Sequence, residues 1–292
     1  MIINKGNMDN LFTGYKAAFN TGFRSAQPMY EKVATVVPSN NASEDYAWLG
    51  QFPKLREWIG DRALKDMTAQ KYNIKNKRYE STVAVQREDI ERDNYCIYAP
   101  LMQEMGYAAA THPDELIFAL LAAGFTAECY DGQPFFDTDH PVGGVSVSNF
   151  GGGSGTPWFL LDTRRPLKPL IFQKEKDYQL LAMTDERDEA VFMRGEYRYG
   201  VDARGNVGFG FWQQAHASRE ALNAANFDAA IAAMIAQKSD EGRPLGIAPN
   251  LLVVGPADRA AARALIEAET LASGASNTNF KAVELFVCPW LV

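Results

Sequence analysis

The sequence is poor in the residues from which metal and catalytic sites are usually built. It has only three histidines and three cysteines, and Cys96, Cys129 and Cys288 lie far apart. Because they are odd in number and none forms a CxxC pair, neither a disulfide framework nor a structural zinc site is indicated. All three cysteines are predicted to be buried thiols.

Long apolar runs are also missing. Runs such as residues 116–123 and 251–254 are far shorter than the roughly 20 residues that cross a bilayer. The amino terminus lacks the basic start and apolar stretch of a signal peptide. We therefore expect no membrane contact, and both synthesis and residence in a cytoplasm.

Positive charge is scarce as well. Lys and Arg number 29 against 36 Asp and Glu, a formal net charge of -7. A protein that binds nucleic-acid phosphates over its whole surface depends on clustered Lys and Arg. Tight binding of nucleic acid over the whole surface is therefore not expected. With 47% hydrophobic residues, the chain can still bury a core of one or two domains.

The patterns that are present mix helices and strands, which predicts an α+β fold. Leu11, Tyr15 and Phe19 have helical spacing within residues 8–25, and an extended linker follows around 38–41. Aromatic and β-branched residues punctuated by glycine predict strands and turns over 158–217. Further predictions are a helix around 227–235, a buried strand at 251–254, an Ala-rich helix to about 271 and a strand at 283–287.

Residues 90–124 have helical periodicity that a proline interrupts. Thr111 to Asp114 fits a capping box with Pro113 in the first turn, and Gly124 suits the position after a helix end. A proline deep inside one helix costs about 3 kcal/mol. The pattern thus predicts two helices end to end, with a bend or break near Thr111.

Residues 131–157 are predicted to be loop, and two motifs within them invite a functional interpretation. The glycines at 151–155 lack the lysine and the strand-then-helix context of a phosphate-binding loop, so a flexible loop is predicted. Asp137, Asp139 and His140 carry ligands that suit a divalent metal in a hydrolase. The favoured alternative is that both aspartates form Asx turns before Pro141 while His140 bonds the backbone. We predict no catalytic residue, metal or cofactor.

A locally basic segment stands out in the acidic chain. Between Asp61 and Glu80, six basic residues face three acidic ones, and the alternation around residues 72–75 predicts a hairpin or long loop with strand character. An isolated two-stranded ribbon is marginal in water and needs a surface to lie on. A solvated charged face is the alternative to an inter-subunit contact. The predicted contact residues are Arg62, Lys65, Lys71, Tyr72, Ile74, Lys75, Lys77 and Arg78.

Five segments, in order along nearly the whole chain, carry a resemblance to a known family. They are YAWLGQFPKLREWIGDR (46–62), PDELIFALLAAGF (113–125), YDGQPFFDTDHPVG (130–143), YRYGVDARGNVGFGFWQQA (197–215) and APNLLVVGPADRAAARALI (248–266). Together they resemble the major head subunit of Mu-like phages and prophages. The first, third and fourth segments are distinctive. The fifth is less specific, because a strand, Gly-Pro and an Ala-rich helix recur in many proteins.

The resemblance implies the HK97-type capsid fold. Its parts map onto an amino-terminal arm at 1–47, an E-loop at 48–88 and a peripheral domain at 89–221 with a spine helix within 89–124. An axial domain is expected at 222–275 and a carboxy-terminal strand that returns to the body at 276–292. The strand order between about 130 and 215 stays open.

The same resemblance implies a non-enzymatic protein of the virion. Copies would assemble in the host cytoplasm into hexamers and pentamers of an icosahedral shell around double-stranded DNA, without sequence-specific binding. Because the E-loop-like segment begins near Trp48, a separate scaffold protein is expected, together with a maturation protease and a portal. An encapsulin shell of the same fold is the alternative, and neighbouring genes would distinguish the two.

Overall fold

A computed structural model describes residues 1–50, 72–92, 94–271 and 273–291. The helices are α1 (Lys5–Ser25), α2 (Arg87–Glu91), α3 (Ala99–Ala123), α4 (Glu189–Arg194), α5 (Ala224–Ile235) and α6 (Arg259–Ile266). The strands are β1 (Ala34–Pro38), β2 (Ser43–Asp45), β3 (Asn73–Lys75), β4 (Lys77–Gln86), β5 (His140–Val142), β6 (Val145–Val147), β7 (Phe150–Gly153), β8 (Trp158–Leu161), β9 (Leu170–Met183), β10 (Glu196–Phe209), β11 (Ala215–Arg219), β12 (Leu251–Val254) and β13 (Glu284–Val287).

Two mixed sheets organise these strands, which answers the open question of strand order. One sheet has the order β1-β9-β10-β4, with β9, β10 and β4 antiparallel and β1 parallel to β9. The other has the order β13-β12-β8-β11-β7. Two further pairs, β2-β3 and β5-β6, stand apart from them. The predicted α+β class is confirmed.

The first helix is amphipathic as predicted and packs on the body. Asn4 caps α1 by accepting from the Asn7 N–H, and the buried side chains of α1 recur at helical spacing. α1 crosses α3 at very short range: a Cβ on Gly22 would lie 1.8 Å from the Gln103 carbonyl oxygen, and one on Gly106 would lie 2.0 Å from that of Phe19. Only glycine permits this crossing.

Residues 99–123 form one continuous helix, so the predicted break near Thr111 is wrong. The Thr111 hydroxyl donates back to the Tyr107 carbonyl at 3.2 Å, and Asp114 accepts from the backbone of Met29 and Tyr30, so neither residue forms a capping box. Gly124 has φ −59°, outside the left-handed region. Buried contacts hold the helix together across Pro113, as the wholly buried Ile117, Phe118 and Leu121 show.

The predicted loop at 131–157 contains more structure than expected. β5 and β6 form a hairpin, and residues 150–153 form an edge strand beside β11. A Cβ on Gly153 would lie 2.3 Å from the Arg219 backbone, so the glycines serve a close approach of two strands. The prediction of loop over the whole of 131–157 is therefore wrong.

Most of the remaining predictions agree with the structure. The strands predicted over 158–217 are present as β8 to β11, although the helix α4 interrupts them, and α5 carries Phe227 and Met234 inward while β12 is fully buried. α6 ends at Ile266, short of the predicted 271. Cys129 and Cys288 are buried as predicted. Cys96 is exposed because it lies in a short surface helix before α3, so the prediction that it is buried is wrong. No helix in the described ranges has the length and hydropathy to span a bilayer.

Candidate functional site

The predicted contact segment is only partly within the described residues: Arg62, Lys65 and Lys71 lie outside them. The two predicted apolar anchors contact their own chain. The Tyr72 hydroxyl accepts from the Phe209 N–H at 2.7 Å, and burial raises the pKa of Tyr72 to about 12. Ile74 is 3% exposed and packs over Gly208. Both side chains therefore fix the base of the segment to the end of β10.

A buried amide completes this attachment. Gln173 of β9 accepts from the Tyr46 hydroxyl at 2.9 Å and donates to the Ile74 carbonyl at 3.0 Å and to Asn76 Oδ1 at 2.8 Å. Gln173 is fully buried, so each of these bonds replaces one to water. Burial raises the pKa of Tyr46 to about 12, which keeps its hydroxyl a donor. The chain is thus tied down on both sides of residues 51–71.

The basic side chains on the described part of the segment face solvent. Lys75, Lys77 and Arg78 are exposed, and the last two begin β4, which pairs with β10 through Gly205↔Lys77 and Arg204↔Arg78. Among the described strands, none pairs with the other edge of β4. A positively charged strand edge therefore extends from a firmly attached base.

The residues proposed for a hydrolase do not converge. Asp137 Oδ1 accepts from the Thr138 N–H at 2.6 Å, as in a local turn, and Asp139 is exposed. His140 bonds the carboxylate of Asp131 at 2.8 Å, so the prediction that it bonds the backbone is wrong. Its ring also stacks on Trp212, with centroids 4.0 Å apart. The tertiary fold, which places the hairpin beside residue 131, supplies this partner.

A different trio, Cys129, Asp131 and His140, brings its potential ligand atoms within 4.8 Å of one another. The Cys129 thiol donates to Asp131 Oδ1 at 3.0 Å, and burial raises the pKa of this thiol. Burial opposes ionisation of Asp131, but hydrogen bonds from His140 and Cys129 lower the pKa of its carboxyl below the usual value. A neutral thiol and an imidazole therefore share one carboxylate, while His140 Nε2 is buried without a hydrogen-bond partner among the described residues. The geometry supports a structural role.

A cavity of about 230 Å³ lies between α3 and the four-stranded sheet. His112 Nδ1 lies 2.6 Å from the Tyr178 hydroxyl on its wall, and Tyr79 meets the His112 ring edge-on at 4.4 Å. Burial lowers the pKa of His112, so the imidazole tends to be neutral. Residues from four separate elements line this cavity, and no local spacing in the sequence could have indicated it.

Comparison with known proteins finds matches along the whole chain. The family described as "Mu-like prophage major head subunit gpT" matches residues 8–291. The chain is 46% identical over 289 residues to the "Mu-like prophage FluMu major head subunit" of Haemophilus influenzae, with 94% of each covered. It is 41% identical to the "Major capsid protein" of Escherichia phage Mu, with 100% of each covered.

Solved structures agree with these sequence matches. The chain superposes on a subunit of the procapsid of bacteriophage JBD30 with a TM-score of 0.87 and 52% identity, covering 99% of this chain and 100% of the other. It superposes on a subunit of the JBD30 capsid with a TM-score of 0.80 and 40% identity, with both chains fully covered. The backbone arrangement described above is therefore that of a phage shell subunit.

Proposed function

We propose that this chain, which belongs to the family of Mu-like prophage major head subunits, binds a neighbouring copy through residues 48–88. We call this segment the clamp. Its membership makes it a major capsid protein of the HK97-like α+β fold, located in the virion head. It is a structural protein and not an enzyme. The encapsulin and hydrolase alternatives are not favoured.

The contrast between a fixed base and a solvent-facing basic edge carries this proposal. Tyr72 and Ile74 are engaged within the chain, so we assign them to anchoring the segment and not to the partner. Arg62, Lys65, Lys71, Lys75, Lys77 and Arg78 then remain for the neighbour. Because the chain carries a net charge of -7, these residues meet an acidic partner surface. Charge pairs across an interface set register and specificity more than affinity.

The wider assembly is proposed along the same lines. Subunits form hexamers and pentamers of an icosahedral shell, with a separate scaffold protein, a maturation protease and a portal, and enclose double-stranded DNA without sequence-specific binding. The division into an arm (1–47), E-loop (48–88), peripheral domain (89–221), axial domain (222–275) and returning strand (276–292) belongs to this proposal. Supporting it, α3 fits a spine helix, and α5, β12 and α6 share one hydrophobic core.

Charge reversal tests the clamp. We expect Lys71→Glu, Lys75→Glu and Lys77→Glu in one chain to leave the monomer folded by circular dichroism and to block or weaken shell formation. The matched control reverses Lys5, Lys16 and Lys238, three lysines that are exposed elsewhere on the subunit, with the same change in net charge. Normal, equally stable shells from the first triple variant, counted by electron microscopy, would contradict the clamp.

A further inference from the structure

The cavity beneath α3 is suited to bind a large side chain. Its floor is made of small and apolar residues that leave the space empty, and its wall is aromatic. Ala108 and Ser81 on its lining are exposed, so it opens to solvent between α3 and the edge strand β4. The lining residues that matter are Ser81, Ala108, Ala109, Ala203, Tyr79 and Tyr178.

The helix face that borders the opening is acidic. Glu104, Ala108, His112 and Glu115 lie at intervals of four, four and three residues, so they form one stripe along α3. Both glutamates are exposed. In the described part of the chain, neither takes part in an ion pair. An apolar cavity with a negative charge on either side fits a large apolar side chain flanked by positive ones.

The proposed clamp contains such a sequence. Trp58 lies in the sequence Arg56-Glu57-Trp58-Ile59-Gly60-Asp61-Arg62, so an arginine stands two residues before it and another four residues after it, with Glu57 and Asp61 between them. Of the other four tryptophans, Trp158 and Trp212 are buried, Trp290 packs on the main core, and Trp48 contacts Phe211 although it is 40% exposed. Between Gly50 and Tyr72 lie 21 residues. Half of that length spans at most ~35 Å, which is long enough to reach the surface of an adjoining copy.

We propose that the cavity receives Trp58 of a second copy, and that Arg56 and Arg62 of that copy pair with the glutamates of the α3 stripe. This inference rests on the clamp proposed above and names its receiving surface. An aromatic anchor in a well-packed pocket is the usual centre of an interface hot spot, and charges around it set register and specificity. The groove between α1 and β9 is the weaker candidate, because Asp9 and Lys16 on its lining carry opposite charges.

Filling the cavity is the first arm of the test. Ala108→Phe occupies the opening, and we expect it to lower shell yield by about tenfold while the monomer keeps its thermal stability. The matched control is Ala122→Phe, an exposed alanine near the end of the same helix, which should assemble normally. Trp58→Ala should reproduce the loss, and Trp58→Phe should restore part of the yield.

Cross-linking between chains is the second arm. One chain carries Glu57→Cys and the other Ala108→Cys, both with Cys96→Ser to remove the exposed native thiol. A short bismaleimide should join the two chains in co-assembled shells and not in the unassembled mixture. A chain that carries both cysteines should not be cross-linked internally when it is dilute and unassembled. Internal cross-linking would show that Trp58 fills its own subunit's cavity and would overturn the inference.

The two proposals fail in distinguishable ways. If the lysine reversals assemble normally, the clamp itself is wrong and the cavity loses its occupant. If the lysine reversals block assembly but Ala108→Phe assembles at the wild-type rate and no inter-chain product forms, the clamp stands and this cavity is not its receptor. If Ala108→Phe lowers yield only when scaffold protein is present, another protein is the occupant and the inference is likewise overturned.

Discussion

The two sheets of this subunit bury their residues in different ways. In the five-stranded sheet, β8 and β12 are buried at every position, because α5 and α6 cover one face and α3 lies against the other. In the four-stranded sheet, β10 alternates between buried and partly exposed residues, since α1 and α3 cover only one face. When both faces of a sheet are covered, its strands are apolar at consecutive positions. When only one face is covered, apolar and polar residues alternate along each strand.

This difference separates stability from assembly. The five-stranded sheet and its helices form a closed core that leaves little apolar surface for contacts with other copies. The four-stranded sheet keeps an open face, an unpaired edge at β4 and a cavity under α3. Substitutions in the first region should therefore act on the free energy of unfolding, whereas those on the open side should act on contacts between copies.

Phe159→Ala tests the closed region and should have the largest effect. Phe159 is fully buried in β8 and contacts the rings of Phe125 and Phe136. Its truncation should lower the free energy of unfolding by about 3–5 kcal/mol. Denaturant unfolding of the unassembled subunit measures this, and a loss below about 1 kcal/mol would mean that the core is not closed at this point.

Acid should weaken the same region through His216 of β11. Burial lowers the pKa of His216 from 6.5 to about 4. Above pH 6.5 the imidazole is neutral in both states, and as the pH falls towards 4 only the unfolded chain takes up the proton. The free energy of unfolding should therefore drop by up to about 3 kcal/mol across this window. His216→Gln should remove that part of the pH dependence; an unchanged pH profile would contradict the assignment.

Gly106→Ala tests the close packing of α1 against α3, the two helices that cover one face of the four-stranded sheet. The added Cβ meets the Phe19 carbonyl at the crossing of α1 and α3, so the free energy of unfolding should fall by about 2 kcal/mol. Gly14→Ala is the control on α1, where nothing lies within 4 Å of the added Cβ. That variant should instead gain up to about 1 kcal/mol from helix propensity. Equal effects at both positions would show that the crossing is loose.

Phe192→Ala should have the smallest effect on the isolated subunit. Phe192 is 80% exposed on α4, beyond the end of β9 and β10. Its removal should change the free energy of unfolding by less than about 0.5 kcal/mol, as for other surface residues. A large exposed apolar side chain on a protein that assembles indicates a contact between copies. Removing it should therefore lower shell yield. Unchanged yield would remove this helix from the open, assembling side.

Much of the fold follows from local pattern. The helical spacing of Leu11, Tyr15 and Phe19, the uninterrupted apolar run of β12 and the aromatic and β-branched residues from Trp158 onward all produce the predicted elements. The errors occur where a distant part of the chain intervenes. Pro113 lies inside a helix that buried neighbours sustain, and the glycines at 151–153 form a strand because β11 lies beside them.

The sequence by itself determined the family, the fold class, the acidic charge and the basic segment, because each is written in residue identity and short-range spacing. Only the tertiary structure decided which side chains meet: that Tyr72 and Ile74 bind their own chain, that His140 pairs with Asp131, and that a cavity opens under α3. These contacts join residues far apart along the chain. Their geometry depends on how whole helices and sheets pack, which no local pattern records.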